Sequence, residues 1–256
     1  MEKKTLLIAG GTGSVGTAFI DAFKHQYTII CLSRTTTSKH KNIKTITWSW
    51  LEKNESFINQ VDYILNLCGK NILTYWSTTN KRKLYESRIN PTRTLTTYIN
   101  KATKKPTCFI NASAIGFYAH NPEINAQYSY KESDPAGTGY MSTLCKDWEE
   151  SALQAKTRVV LLRTGIVLAT SAGFLNLICK AYRFFVGGHL GKGNQALPWI
   201  HIHDLCSIIH FSLNKKTLSG PINAVAPEKT SLKECCQCIG KTLNRPNWLH
   251  VPEKII

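Results

Sequence analysis

The sequence predicts an α/β protein of the Rossmann type: a doubly wound parallel sheet. Three observations carry this. The segment Thr5-Leu-Leu-Ile-Ala-Gly-Gly-Thr-Gly-Ser-Val-Gly16 runs from a short apolar stretch through Gly10, Gly13 and Gly16 into a helical pattern. Apolar runs of strand length then alternate with helical segments along the chain, which is the pattern of a parallel sheet covered on both faces. Third, several strands end in small or polar residues, where a sheet of this type binds ligands.

The elements follow in order. Leu6–Ala9 reads as a buried strand, and Val15, Phe19, Ile20 and Phe23 fall on one face of the helix that follows. Between them the glycines suit a dinucleotide's pyrophosphate. Gly10 permits the tight turn, Gly13 lets the backbone approach phosphate, and Gly16 lets helix and strand pack closely. Thr12, Ser14 and Val15 complete the turn, whose N–H groups and helix dipole favour an anion. Further strands are expected at Thr28–Leu32, Ile43–Thr47, Tyr63–Leu67, Thr107–Ala112, Val159–Arg163 and Ile222–Val225. Helices are expected near Thr17–Lys24, Leu51–Gln60, Thr79–Ala102, Gly139–Ala155, Gly173–Phe184, His203–Leu213 and Ser231–Leu243.

The second strand ends Cys31-Leu-Ser33-Arg34. No carboxylate stands there to accept from an NAD ribose. Arg34 offers a guanidinium fork suited to a 2′-phosphate, and Ser33 adds a hydroxyl. Lys39 and Lys41 add positive field. The expectation is NADP(H) over NAD(H). The fourth strand ends in Asn66-Leu67-Cys68-Gly69, small enough for the chain to pass the cofactor. The fifth ends in Asn111-Ala-Ser113-Ala114, with Ser113 placed to meet the nicotinamide or a substrate oxygen.

Composition narrows the function classes. The chain has 256 residues, 43% of them hydrophobic, and a net charge of +16. The cations are scattered, with only short groups such as Lys81-Arg82-Lys83, and no nucleic-acid motif accompanies them, so specific nucleic-acid binding is not expected. No apolar run reaches the ~20 residues of a membrane span, and no secretory leader is visible, so a cytoplasmic protein without membrane contact is expected. The nine cysteines lie mostly in apolar segments and read as small hydrophobes. Cys235-Cys236-Gln-Cys238 lacks a second ligand pair at zinc spacing, and His201 and His203, alternating before Asp204, read as structural with Asp204 as cap or first-turn anion. No metal is expected.

The chain resembles the extended short-chain dehydrogenase/reductases, in an atypical branch described as NAD-dependent epimerase/dehydratase-like with a C-terminal domain of unknown function. The stretches that carry the resemblance are Gly10–Gly16, Asn66–Gly69, Ser87-Arg88-Ile89, Asn111–Tyr118, Trp148-Glu149, Arg163–Leu168, Gly187–Gln195, Trp199–Asp204, Ala226-Pro227 and Asn244-Arg245-Pro246. The resemblance implies a Rossmann core over residues 1–168, completed by a returning segment near 199–226, with a small C-terminal substrate lobe mostly formed by residues 169–256. It implies cofactor contacts at the glycine turn, Ser33, Arg34, Leu67, Cys68 and Arg88, and a substrate held by the loop 187–195. It also implies that the chain stops early in the family's C-terminal region.

The superfamily's usual catalytic set is Ser, Tyr and Lys, with Tyr and Lys four apart on a helix. Here Tyr140 is followed four residues on by Leu144, and Lys146 lies about 240° around the helix from Tyr140. The pair is missing. Ser113, Tyr118 and Lys146 remain as candidate catalytic residues. The expected function is an NADP(H)-binding oxidoreductase or epimerase acting on a small, sugar-like molecule. The alternative is a non-catalytic NADPH-binding sensor or regulator.

Overall fold

A computed structural model describes residues 3–36, 40, 42–118, 129–170, 173–189 and 191–249. Lys39 and Lys41 lie outside the described residues. The first half alternates as β1 (Lys4–Ala9), α1 (Ser14–Phe23), β2 (Tyr27–Ser33), β3 (Lys44–Thr47), α2 (Trp48–Lys53), β4 (Tyr63–Asn66), α3 (Thr78–Lys101) and β5 (Cys108–Ala114). The second half adds α4 (Tyr140–Leu153), β6 (Val159–Thr164), β7 (Ile166–Leu168), α5 (Gly173–Arg183), β8 (Trp199–His201), α6 (Ile202–Asn214), β9 (Gly220–Ala224) and α7 (Leu232–Leu243).

Seven strands form one parallel sheet in the order β3-β2-β1-β4-β5-β6-β9. The order reverses between β1 and β4, and a doubly wound sheet offers its ligand crevice outside the carboxyl ends of such a pair. Two apolar layers cover the sheet. Phe19, Ile20, Cys206, Ile209 and Leu213 of α1 and α6 pack on one face, and Leu51, Leu95, Tyr98, Ile99 and Ala152 of α2, α3 and α4 on the other. β1 is buried on both sides, with Leu6, Leu7, Ile8 and Ala9 fully inaccessible, which explains its unbroken apolar run.

Three elements differ from the sequence expectation. The helix expected over 51–60 is two pieces, α2 and a 3-10 turn over Glu55–Gln60. Asn54 separates them at φ −132°, with its amide donating to the Trp50 carbonyl, a side-chain bond that competes with helix continuation. Ile166–Leu168 and Trp199–His201 pair as a separate two-stranded parallel sheet. The histidine strand is shorter than the sequence pattern implies. His201 caps α6 by accepting from the His203 backbone N–H at 3.3 Å, so the histidines are not two ligands on one strand face, and Asp204 sits in the first turn rather than at the cap.

Beyond the sheet, Tyr182, Leu197, Leu232, Cys236 and Ile239 make a separate small core between α5 and α7. Tyr182 is its centre: fully buried, with its hydroxyl 2.7 Å from the Cys236 carbonyl and 2.8 Å from Asn247 Oδ1. All nine cysteines are free, and among the described residues no cluster of His, Cys, Asp or Glu could hold a metal. No described helix is long and apolar enough to cross a membrane.

Candidate cofactor and active site

The crevice begins at the glycine turn. Gly10 has φ +82°, a conformation that favours glycine, and a Cβ there would lie 2.8 Å from the Leu67 carbonyl. A Cβ on Gly16 would lie 2.6 Å from Gly11 Cα and 2.7 Å from the Gly10 carbonyl oxygen. The turn is therefore pressed between α1 and the end of β4, with no room for side chains. Gly13 is the N-cap of α1 and offers no side chain to cap it, and the first turn holds no acidic residue. The leading N–H groups of Ser14, Val15 and Gly16 are left for an external acceptor. This is a cradle that fits a pyrophosphate.

Ser33 and Arg34 follow at the end of β2, which pairs with β1. Arg34 is exposed, and Ser33 Oγ accepts only a long 3.4 Å bond from the Thr35 N–H. A residue the sequence did not single out joins them: His40 Nε2 lies 3.2 Å from the Gly11 carbonyl, which sets the His40 ring against the glycine turn. On the other side of β1, burial pushes the Cys68 thiol up to about 12, opposed in part by Arg34, so Cys68 is a neutral wall residue. Arg88 is spent internally. Its guanidinium donates to the Leu84 and Lys70 carbonyls at 3.0 Å each, packs under Gly69, and stands 5.3 Å from the Trp148 ring. It braces the Leu67–Lys70 segment from beneath.

The three candidate catalytic residues do not come together. Lys146 points away: its side chain is 58% exposed and pairs loosely with Glu150 at 3.9 Å. Ser113 and Tyr118 instead share a buried network that the sequence reading did not assemble. Ser113 Oγ donates to Glu149 Oε1 at 2.6 Å. Arg163 grips the same carboxylate with two bonds of 2.9 Å and donates to the Tyr118 hydroxyl at 2.9 Å. Tyr118 donates in turn to Asn223 Oδ1 at 2.6 Å. Burial alone would lower the Arg163 pKa, but its bonds to Glu149 and Tyr118 outweigh that and the net shift is upward. Trp148-Glu149 and Arg163 were visible as family stretches, yet only the register of β5 with β6, which sets Ser113 beside Arg163, brings them to one point.

Tyr140 is engaged with α3. Its hydroxyl donates to the Lys81 carbonyl at 2.5 Å, and burial raises its pKa. Three α4 residues face the turn after β5: Met141, Cys145 and Ser142, whose hydroxyl lies 3.1 Å from the Gly116 carbonyl and 3.2 Å from the Tyr118 carbonyl. A Cβ on Gly116 would stand 3.3 Å from Met141 Cε and 3.8 Å from Cys145 Sγ. Burial pushes the Cys145 thiol up to about 12. A thioether, a neutral thiol and a hydroxyl spent on backbone carbonyls thus occupy the helix face toward the end of β5.

Comparison with known proteins agrees with this architecture. Residues 6–224 match the model of the NAD dependent epimerase/dehydratase family. An epimerase family protein of Mycobacterium leprae (strain TN) is 35% identical over 98% of this chain and 81% of its own length. The chloroplastic SDR39U1 homolog of Arabidopsis thaliana is 31% identical over 98% of this chain and 74% of its own. Among solved structures, human epimerase family protein SDR39U1 (isoform2) with NADPH superposes with a TM-score of 0.89 at 29% identity, covering 98% of this chain and 84% of that one. The Bordetella bronchiseptica enzyme WbmG in complex with NAD and UDP shares the fold, with a TM-score of 0.79 at 15% identity, covering 98% of this chain and 82% of that one.

Proposed function

The chain belongs to the NAD dependent epimerase/dehydratase family, and we propose on that premise that it binds NADP(H) and acts as an oxidoreductase or epimerase-like protein on a small molecule. The observation that carries the reading is the uncapped N-terminus of α1 at the switch point, closed in by Gly10 and Gly16, with Arg34 at the end of the neighbouring strand. The N–H groups of residues 14–16 would hold the pyrophosphate. Arg34, with Ser33, would take the 2′-phosphate; the structural relative solved with NADPH supports this choice over NAD. Bound there, the cofactor supplies a hydride or accepts one. The chain's own part is to seat it, with Leu67, Cys68 and Gly69 as a close wall, and to hold a small substrate between the core and the lobe built on α5 and α7.

A second reading is supported by the hydrogen-bond network: a protein that binds NADPH without turning over, as a sensor or regulator. The proton donors expected of a catalytic centre are engaged internally, Ser113 with Glu149 and Tyr118 with Asn223. Titration of NADPH and NADH by their own fluorescence tests the cofactor reading. Arg34→Asp is expected to weaken NADPH far more than NADH; equal loss of both overturns the 2′-phosphate assignment. A panel of carbonyl substrates with NADPH then separates the readings, since tight binding with no oxidation on any member selects the sensor.

A further inference from the structure

We infer that the face of the lobe formed by the end of α5 and residues 245–248 docks on an anionic phospholipid surface, with aromatic side chains entering the interface and flanking cations meeting the headgroups. The inference does not rest on the cofactor reading. It departs from the sequence expectation of a chain without membrane contact.

Two independent observations support it. The first is how the chain leaves α5. The Phe185 N–H donates to the Tyr182 carbonyl at 3.0 Å, and the Val186 N–H donates to the Ala181 carbonyl at 3.1 Å. This is the Schellman ending of a helix, whose left-handed residue is usually glycine. Here that residue is Phe185, at φ +62°, a conformation that a bulky side chain rarely adopts. Burial of the ring does not offset the strain. Phe185 is 54% exposed and Phe184, before it, 78%. Val186 is exposed too, as is Leu177, seven residues before Phe184 and on the same side of α5. Trp248, 60% exposed, completes the patch. Its indole N–H donates to the Phe185 carbonyl at 2.9 Å, and its backbone N–H donates to the Gly187 carbonyl at 3.1 Å. Main-chain bonds thus fix these rings at the surface, in a contiguous apolar patch of the kind that marks a contact site.

The second observation is the charge around the patch. Lys180 and Arg183 are exposed on α5. The Arg245 guanidinium lies over the Phe185 ring at 4.6 Å, and with Lys241, Asn244 and Asn247 it lines a groove of about 590 Å³ at the end of α7. Neither 173–189 nor 240–249 contains an Asp or Glu. Glu228 and Glu234 lie before and at the start of α7, where Glu234 is bound to Ser231, and Glu253 lies outside the described residues. Aromatic rings rimmed by cations suit a bilayer interface: the rings sit at the boundary of headgroup and acyl chain, while Lys and Arg stay with the phosphates. Each cation held near an anionic surface adds attraction. The net charge of +16 favours the same partner and opposes a second copy, which would bring these cations face to face.

The test is co-sedimentation of the full chain with vesicles of phosphatidylcholine alone and of phosphatidylcholine mixed equally with phosphatidylserine, beside light scattering of the chain by itself. The expected result is binding to the mixed vesicles that weakens as salt is raised, with phosphatidylcholine alone bound about tenfold more weakly or not at all. Phe184→Ser and Trp248→Ser are each expected to weaken binding about tenfold, the scale of one large apolar side chain withdrawn from the interface. Both side chains lie mostly in solvent, so neither substitution opens the core. Lys180→Gln and Lys241→Gln are each expected to weaken binding about fivefold. Lys215→Gln, at an exposed lysine just after α6, should leave it within about twofold. Absence of binding to the mixed vesicles overturns the inference and leaves the face to a protein partner or to another part of the chain. Equal binding to both vesicles overturns it as well. So do a Lys215→Gln effect as large as that of Lys180→Gln, unchanged binding in both Phe184→Ser and Trp248→Ser, and a dimer in solution that Phe184→Ser dissociates.

Discussion

Replacing Glu149 by Ala should cost this protein a large part of its stability. The side chains of Glu149 and Arg163 are only 6% and 5% exposed, and the pair is bidentate. Removing the carboxylate strands the guanidinium in the interior with the Tyr118 hydroxyl, the Glu132 carbonyl and the faces of Phe117 and Tyr118 as its remaining neighbours. Breaking a buried pair from one side typically costs about 3–5 kcal/mol, because an uncompensated charge stays behind. A chain of this size loses about 2–4 °C of melting temperature per kcal/mol, so Glu149→Ala should lower Tm by about 6–20 °C. The double variant Glu149→Leu/Arg163→Met removes both charges and should recover most of the loss, since apolar replacement of a whole buried pair is often close to neutral. Differential scanning calorimetry on the wild type, Glu149→Leu, Arg163→Met and their double closes the cycle, with Glu149→Ala measured beside them. A fall of less than 2 °C in Glu149→Ala, or a double variant no more stable than the worse single one, would refute the assignment of this pair as the clamp between α4 and β6.

Three further outcomes follow from named contacts. Gly16→Ala places a Cβ 2.6 Å from Gly11 Cα, so NADPH binding by fluorescence should fall at least tenfold or the fold should be lost; undiminished affinity in a folded variant would deny the close turn. His210 stacks on Phe23 at 4.5 Å and bonds Tyr27 at 2.8 Å, and burial lowers its pKa below 6.5. Its contribution to stability is therefore present above 6.5 and lost as pH falls through the lower folded value, so Tm should drop between pH 7.5 and 5.5 by less in His210→Phe than in wild type; equal drops would remove His210 from the account. Tyr182→Phe deletes the hydroxyl that meets the Cys236 carbonyl and Asn247; the Cys236 carbonyl keeps its bond within α7, so the loss should be that of a net hydrogen bond, about 0.5–1.5 kcal/mol, and a urea midpoint equal to wild type would show that α5 and α7 do not depend on this bond.

Much of the fold was legible because its signals are local. Leu6–Ala9 and the glycines after it lie within one short stretch, and strand, turn and helix can be read without knowing what packs on them. The alternation of strands and helices is likewise written in each segment's own period. The two-stranded sheet of β7 and β8 was not legible, because its three-residue strands are 30 residues apart and carry no periodicity of their own. Asn54, by contrast, was a readable breaker inside the expected 51–60 helix, and only its side-chain bond to Trp50 shows that it acts as one. The Glu149–Arg163 pair sits between these cases. Both residues stood in recognisable stretches, but their meeting depends on the register of β5 against β6 and on the rotation of α4, neither of which any short stretch encodes.

That rotation decides what the candidate site can do. A tyrosine at position 140 draws attention because tyrosine carries the proton in related enzymes, yet a helix turns about 100° per residue, and one position of error points a side chain at a different neighbour. The phase of α4 is fixed further along by its buried residues, Leu144, Cys145, Trp148, Glu149 and Ala152, with Glu149 held to Arg163 and Ser113 and Trp148 donating to Thr92 at 2.9 Å. Counting back from Glu149 by fours brings Cys145 and then Met141 to the same face, about 40° apart at each step. Tyr140 is carried around toward α3, where it finds the Lys81 carbonyl. The large buried groups on the last two turns, rather than the tyrosine on the first, thus select which residues of α4 face the turn after β5. A lysine introduced at 144 to complete the spacing from Tyr140 would therefore enter a packed position, since Leu144 is 1% exposed.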